Sequence, residues 1–236
     1  MQTTGRGTLQ RTWISQPGNL FLTVAVPMTE HLIPTSRLTL VPLSMGVVLA
    51  QVLSCSKMMI NHIERNVLSL KWPNDVLIDD KKVAGILIEN CSVPTHKGSS
   101  SSSSSNSSNS SRSENWLLIG IGVNVQSCPQ EFHDQETTAP RMATCLKEHT
   151  AVSSDFALEL GMVLSQQIPE QIQQFSQDGF SSSIVDQWVS FAKLGEYYTI
   201  RTTGEIVQII QLEADGRMRV VGKDGKERLL VSDYFV

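Results

Sequence analysis

The stretch KWPNDVLIDDKKVAGILIE, Lys71–Glu89, determines how the fold of this chain is interpreted. Two apolar runs flank the polar tip Asp79-Asp80-Lys81, a pattern that predicts a strand, a turn and a second strand. The corner before them, Lys-Trp-Pro-Asn-Asp, ends an earlier strand at Pro73. Such a concentration of Lys, Asn and Asp at a corner is unusual for core sequence. Together with the paired lysines and the glycine of the second strand, it indicates a hairpin that has a function.

The surrounding sequence predicts a domain that contains both strands and helices. Apolar, β-branched runs predict strands at Leu20–Met28, Val67–Asn74 and Asn115–Val125. Apolar residues at helical spacing predict helices at Leu38–Leu53, from Ser154 to about Phe180, and at Ser182–Leu194. A serine-rich stretch at about 93–114 cannot bury apolar surface, so we predict a disordered insert at a hairpin tip.

The character of the sequence changes after Leu194. Short alternating runs from Glu196 onward are separated by Asp215-Gly216 and Asp224-Gly225, which are tight hairpin signals. We therefore predict two domains, 1–194 and 195–236, of which the second is a small, barrel-like β domain.

Composition excludes several classes of protein. The 236 residues carry a net charge of −4, so a basic nucleic-acid face is not expected. No apolar run is long enough to span a bilayer, and no secretory signal follows Met1, so we expect no membrane partner and an intracellular protein. The poly-serine insert indicates a eukaryotic source, in which we expect the cytoplasm, with plastid and mitochondrion left open. The cysteines have no C-x-x-C spacing, so we expect reduced thiols without a zinc site.

Two further segments are rich in glycine. In GRGTLQRTW, Gly5–Trp13, glycines let the backbone approach a ligand, and arginines can bind anionic oxygens. In IGIGVNV, Gly120 and Gly122 lie at the end of a buried strand, where glycines mark either a ligand pressed against the sheet or close packing against a helix. Neither motif alone decides between these alternatives.

In their order along the chain, the three motifs resemble the catalytic domain of biotin protein ligases (holocarboxylase synthetases). The family pattern Q-x-x-G-R-G-R-x-G-R-x-W-x-S-P-x-G-N-L corresponds here to QTTGRGTLQRTWISQPGNL. The family's K-W-P-N-D corner is unaltered at Lys71–Asp75, K-x-x-G-[IV]-L is Lys82–Leu87, and G-x-G-x-N is Gly120–Asn124. The resemblance implies an α+β fold of the class II synthetase-like biotin/lipoate ligase type, with a mixed, mostly antiparallel sheet flanked by helices. A small C-terminal SH3-like β-barrel follows it.

The resemblance also implies an activity and a set of site residues. The family forms biotinyl-5′-AMP from biotin and MgATP, then transfers biotin to a lysine of a biotin carboxyl carrier domain of a biotin-dependent carboxylase. Monomer and homodimer both remain open, and no metal ligands are assigned. The implied catalytic residues are Lys82, Arg6 and Asp75. The implied biotin-binding residues are Gln2, Gly5, Arg6, Lys82, Gly85, Leu87, Gly120 and Gly122. The implied ATP or adenylate-binding residues are Arg11, Trp13, Lys71, Asn74, Asp75, Val123 and Asn124.

The chain departs from the family pattern at two points. Thr8 stands in place of the second arginine of R-G-R, and Gln10 replaces a loop glycine. In the family, a Ser-Thr-Asn segment that binds the biotin ureido ring precedes this loop. The present sequence begins at the loop, so we expect an N-terminally incomplete catalytic domain. The alternatives are a catalytically impaired fragment that binds biotin or its adenylate, and a relative of lipoate–protein ligases.

Overall fold

The computed structural model describes residues 2–8, 11–55, 63–94, 113–129, 142–231 and 235. The strands are β1 (Leu20–Pro27), β2 (Leu68–Lys71), β3 (Asp75–Ile78), β4 (Lys81–Pro94), β5 (Ser113–Val123), β6 (Tyr197–Thr199), β7 (Ile206–Leu212), β8 (Met218–Gly222) and β9 (Glu227–Leu230). The helices are α1 (Leu40–Cys55), α2 (Phe156–Gln173) and α3 (Phe180–Val189). In this described part, no helix combines the length and the apolar character needed to cross a bilayer.

The first sheet contains five strands in the order β1-β5-β4-β3-β2, and every neighbouring pair is antiparallel. Strands β4 and β5 form a long hairpin that is paired from Ala84 and Val123 to Pro94 and Ser113. The predicted insert at the hairpin tip therefore begins and ends within paired strands, and its predicted disorder lies outside the described residues. The α+β fold predicted from the sequence is confirmed.

One face of the sheet is covered by helices. Helix α1 packs on β2, β3 and β4, and α2 packs on β1, so the side chains that point to this face are fully buried. Because side chains alternate along a strand, every second residue of β4 and β5 enters this core. These core residues include Ala84, Ile86, Ile119, Ile121 and Val123. Burial of this apolar surface is the main free energy that holds the layers together.

The predicted helix from Ser154 to about Phe180 is shorter in the structure. Helix α2 ends at Gln173, a 3₁₀ turn follows, and α3 begins after Gly179, which has a φ of 76°. Apolar spacing continues across this break because Phe175 and Phe180 pack against each other, with ring centroids 4.4 Å apart. Periodicity alone could not locate the break, because both sides of it bury apolar residues in one core.

The second sheet has the order β6-β7-β8-β9 and packs at the K-W-P-N-D corner. Trp72 lies between the sheets: its Nε1 donates to the carbonyl of Gly216 at 3.0 Å, and its ring lies 5.6 Å from that of Phe235. The Trp72–Pro73 peptide bond is cis. Trp72 therefore supports the contact between the sheets. The domain boundary at 194 and the closed barrel stay predictions.

Gly216, in the turn between β7 and β8, lies against the start of α1. It has a φ of 83°, and a Cβ there would lie 3.1 Å from Leu40 Cδ2 and 3.2 Å from the carbonyl of Thr39. Gly225 occupies the next hairpin turn with a φ of 74°, but a Cβ there would meet nothing within 4 Å. The two glycines therefore share a backbone requirement and differ in what surrounds them.

We expect Gly216→Ala to destabilise the protein more than Gly225→Ala. The Gly225 variant should lower the free energy of unfolding by about 1–2 kcal/mol, the cost of a left-handed alanine. The Gly216 variant should lose about 1–3 kcal/mol more, because the new methyl group overpacks the α1 contact. Urea unfolding measures both values, and equal losses would contradict the contact.

Candidate active site

The open face of the first sheet has a floor of glycines. The register places Phe21, Gly122 and Gly85 in one row across β1, β5 and β4, and Thr23, Gly120 and Leu87 in the next. Without side chains at Gly122, Gly85 and Gly120, the middle of this floor is flat and lets a ligand approach the backbone. The G-x-G motif left two alternatives, a ligand pressed against the sheet or close packing against a helix. The structure does not place Gly120 and Gly122 against a helix, since their neighbours Ile121 and Val123 face the helices and the glycines face the open side.

A β-bulge puts Lys82 on the same face. The pairing shifts between Val76 and Leu77, which face Ala84 and Lys82, so that Val83 is an extra residue on β4. Strict alternation from Gly85 would have turned Lys82 toward the helices, and the extra residue reverses that direction. Lys82 Nζ donates to Asp75 Oδ1 at 2.5 Å, and both side chains are more than four-fifths buried.

The segment before α2 holds the backbone of Lys82 from the other side. The Lys82 N–H donates to the carbonyl of Met142 and its carbonyl accepts from Thr144 N–H, both at 3.0 Å. The same segment accepts a hydrogen bond from Asn124 Nδ2 to the carbonyl of Thr144, at 3.1 Å. Lys82 and Asn124 therefore share one support, and sequence reasoning missed it because no motif marks it.

The glycine–arginine loop folds over the floor. Thr12 and Arg6 form an antiparallel bridge, and Trp13 N–H donates to the carbonyl of Gly5 at 2.9 Å. This closes the loop so that the Trp13 ring rests on the glycines. A Cβ at Gly122 would lie 2.8 Å from the ring, and the ring centroid is 5.4 Å from Lys82 Nζ.

The two arginines of the loop are already engaged by polar groups. Arg6 Nη2 donates to Glu89 Oε2 at 3.0 Å, and the Arg6 side chain is 69% exposed. Arg11 Nε donates to the carbonyl of Thr8 at 2.9 Å, and its Nη2 donates to Thr8 Oγ1 at 2.5 Å. Thr8, which departs from the family pattern, therefore fixes the guanidinium of Arg11.

These elements enclose a cavity of about 1040 Å³. Most residues implied by the resemblance line it: Gln2, Arg6, Arg11, Trp13, Asn74, Lys82, Gly85, Leu87, Gly120, Gly122 and Asn124. Two atoms near it, Trp13 Nε1 and Asn74 Oδ1, are buried and make no hydrogen bond within the described residues. Buried polar atoms of this kind are normally bonded, so both are candidate contacts for a ligand.

Four implied residues are not part of the cavity wall. Val123 is fully buried because alternation turns it toward the helices. Lys71 Nζ lies 5.5 Å from the Tyr198 ring, on the side of the second sheet. Gly5 is buried beneath the loop, where a Cβ would lie 2.4 Å from the carbonyl of Trp13. Asp75 lies behind Lys82 and contacts the cavity through it.

The cavity also contains residues that sequence reasoning missed. Arg201 reaches it from the turn after β6, and Glu89 reaches it from β4 beside Arg6. A signal for Glu89 existed, because it follows Gly85 and Leu87 at alternating positions. Arg201 carried no signal, since it comes from the second sheet and meets the cavity only in the folded protein.

Comparisons with known proteins find similarity to biotin and lipoate ligases. The sequence pattern of the Biotin/lipoate A/B protein ligase family matches residues 1–101. The Bifunctional ligase/repressor BirA of Bacillus subtilis is 32% identical over 142 residues, which covers 57% of this chain and 33% of that protein. The chain thus spans about a third of the length of that curated relative. The Biotin--[acetyl-CoA-carboxylase] ligase of Paracoccus denitrificans is 26% identical, over 99% of this chain and 87% of that protein.

A solved structure extends the similarity to the whole fold. The biotin protein ligase from Aquifex aeolicus in complex with biotin and ATP aligns with a TM-score of 0.66 at 25% identity. The alignment covers 100% of this chain and 84% of that chain. Both sheets of the present structure therefore lie within the aligned part.

The contact between Trp13 and the glycine floor can be tested by adding one methyl group. Gly122→Ala should displace the Trp13 ring, because the new Cβ would lie 2.8 Å from it. Gly120→Ala is the matched control, since its Cβ would lie 3.4 Å from the nearest atom, a backbone oxygen of Leu87. Acrylamide quenching of tryptophan fluorescence should increase only in the Gly122 variant. The increase should vanish in a Trp13→Phe background, and equal quenching of both glycine variants would contradict the contact.

Proposed function

We infer that this chain, a member of the biotin protein ligase family, is an enzyme that uses ATP to attach biotin to a protein lysine. The observation that carries this proposal is the placement of Lys82 beside the flat floor of Gly85, Gly120 and Gly122. A fixed cation beside such a floor suits a carboxylic acid with a thin, largely apolar body, such as biotin. The Trp13 ring lies over Gly85 and Gly122 in this structure and would move aside for a ligand that covers the whole floor.

The first step would join biotin to the nucleotide. A biotin carboxylate oxygen attacks the α-phosphorus of ATP, the bond to the bridging oxygen breaks, and pyrophosphate leaves. Negative charge accumulates on the oxygens around phosphorus, so fixed cations accelerate the step. Asp75 and the backbone bonds on both sides place Lys82 beside the cavity, and its ammonium group can turn from Asp75 to stabilise this charge. Arg6 would exchange Glu89 for the incoming anion.

The walls of the cavity fit the two ends of the intermediate. The glycine rows and the apolar side chains beside them, including Phe21 and Leu87, suit the biotin ring and tail. Asn74 Oδ1 offers an acceptor and Trp13 Nε1 a donor, both free of protein partners in the described residues. Asn124 and Arg11 line the cavity as candidates for the nucleotide end.

The second step would transfer biotin to an acceptor. The amine of a lysine on a biotin carboxyl carrier domain attacks the biotinyl carbonyl, an amide bond forms, and AMP leaves. The attacking amine must lose a proton. Asp75 is the proposed acceptor, since it is the carboxylate bonded to Lys82 and could receive that proton when Lys82 turns toward the intermediate.

Magnesium would enter as part of the MgATP substrate. Magnesium in nucleotide sites is typically held by one or two carboxylates together with the substrate phosphates. The nearby carboxylates, Asp75 and Glu89, each bond a cation in this structure. Either can provide a metal ligand once its partner moves to the substrate.

The proposal is tested by adding labelled biotin, MgATP and a biotin carboxyl carrier domain to the purified chain. We expect label on the carrier domain. Lys82→Met should lower the rate by at least about 100-fold, as loss of one charge-stabilising donor does. Lys81→Met is the matched control and should retain the activity, because Lys81 does not line the cavity.

The outcomes separate the alternatives. Absence of transfer even from supplied biotinyl-adenylate would contradict the ligase and favour a fragment that only binds biotin or its adenylate. Transfer of labelled lipoate in place of biotin would contradict the biotin specificity and favour a lipoate–protein ligase relative.

The Thr8 position should control retention of the intermediate. Thr8→Arg adds a cation that can bond the adenylate phosphate, and a charged hydrogen bond of this kind contributes about 1.5–3 kcal/mol, so release should slow by about 10-fold or more. Thr8→Val is the control, because it also removes the hydroxyl that Arg11 bonds but adds no charge. Equal release of biotinyl-adenylate from Thr8→Arg and the parent protein would contradict this role.

A further inference from the structure

Two cysteines from different chain segments, Cys128 and Cys145, meet close to Pro129 and Ala143, which line the cavity. Cys128 follows the end of β5, and Cys145 and Glu148 belong to the segment that leads toward α2. The two Sγ atoms and a carboxylate oxygen of Glu148 all lie within 4.8 Å of one another. The expectation of reduced thiols without a zinc site rested on sequence spacing, which does not reveal a pair formed by folding.

The geometry of this cluster matches the ligand set of a tetrahedral zinc site. Zinc binds thiolate sulfur at about 2.3 Å and carboxylate oxygen at about 2.0–2.2 Å, which places adjacent sulfur and oxygen ligands about 3.5 Å apart. Cys128 Sγ lies 3.7 Å from Glu148 Oε1. This pair already has the separation that a tetrahedral ion requires, and Cys145 Sγ lies within 4.8 Å of both atoms.

The carboxylate of Glu148 is oriented by a second layer of contacts. Thr144 Oγ1 donates to Glu148 Oε2 at 2.6 Å, which leaves Oε1 directed to Cys128. His149 Nε2 lies 2.7 Å from the same Thr144 hydroxyl, and the Glu148 N–H donates to the carbonyl of Cys145 at 3.1 Å. Metal ligands are typically held by outer hydrogen bonds of this type.

The thiols of the cluster are protonated in the absence of a metal. Burial raises the pKa of Cys128 to about 12, and the Glu148 carboxylate and the Cys145 thiol add to the effect. Burial also raises the pKa of Cys145, whereas the hydrogen bond from Thr144 lowers the pKa of Glu148. Glu148 is therefore charged at neutral pH beside two protonated thiols. A divalent ion has to displace both thiol protons, so these pKa values make binding weaker at low pH, and the case for the site rests on the geometry of the cluster.

We propose that Cys128, Cys145 and Glu148 bind a divalent thiophilic metal ion, zinc in the first instance, with the fourth position open to water. Two thiolates and one carboxylate suit zinc better than magnesium or calcium, which prefer oxygen ligands. This site is separate from the proposed ligase reaction, and it lies at the edge of the cavity rather than within it.

The ion would link the two chain segments that position residues of the candidate active site. Cys128 lies after the end of β5, a few residues beyond Asn124, and Cys145 directly follows Thr144, which bonds both Asn124 and the backbone of Lys82. A metal bridge between Cys128 and Cys145 therefore holds the two chain segments that position Asn124 and Lys82. We therefore expect the bound metal to increase the stability of the folded protein.

Cobalt binding tests the site without an activity assay. The reduced, metal-free chain is titrated with Co²⁺, and we expect a thiolate-to-cobalt charge-transfer band, which Zn²⁺ then displaces. Cys128→Ser and Glu148→Gln should each weaken Zn²⁺ binding, the cysteine variant by at least about 100-fold, because loss of an outer contact alone costs 10–100-fold. Cys91→Ser is the matched control, since Cys91 lies on β4 outside the cluster, and it should bind like the parent protein.

Further readouts separate a metal site from other uses of the thiols. Zn²⁺ should raise the melting temperature of the parent and of Cys91→Ser but not of Cys128→Ser. Affinity should fall as the pH is lowered, because both thiols must release protons to bind. Absence of the charge-transfer band, or equal Zn²⁺ affinity of Cys128→Ser and the parent, would overturn the proposal. Formation of a Cys128–Cys145 disulfide in air, without that band in the reduced protein, would also overturn it and identify a redox pair.

Discussion

The extra residue at Val83 is the constraint on which the candidate site depends. A regular strand would point Lys82 into the helix-covered core, where an unpaired ammonium is costly to bury. The bulge turns it instead onto the face that Gly85, Gly120 and Gly122 leave open. The ion pair with Asp75 then fixes its position. Bulges often re-aim one side chain in this way next to an active site, at the expense of local pairing.

The K-W-P-N-D corner joins the two sheets to this site. Asn74 exchanges hydrogen bonds with Ile86: its Nδ2 donates to the carbonyl of Ile86 at 2.6 Å, and its own carbonyl accepts from Ile86 N–H at 2.9 Å. Trp72, on the other side of the corner, contacts Gly216 and Phe235 of the second sheet. The corner therefore contacts β4 at the cavity through Asn74 and contacts the second sheet through Trp72.

Sequence predicted what depends on local pattern. The strands, α1, the polar tip of the first hairpin and most cavity residues follow from alternation, helical spacing and the family motifs. Other features depend on contacts between distant segments, so no local pattern contains them. Gly179 divides one apolar helix pattern into two helices, Arg201 enters the cavity from another sheet, and Cys128 meets Cys145 across the chain. The bulge at Val83 belongs to the same group, because only the pairing register of β3 and β4 establishes it.

The long β4–β5 hairpin has a consequence for how this protein can change its length. The ladder continues from Glu89, beside the cavity, to Pro94, about 17 Å farther at the usual rise per residue. The serine-rich residues 95–112 connect the ends of that ladder. Because the entropy of closing a loop grows only with the logarithm of its length, each doubling costs about 0.6 kcal/mol. Evolution can therefore expand, shorten or rewrite this segment with little effect on the chemistry at the other end of the hairpin.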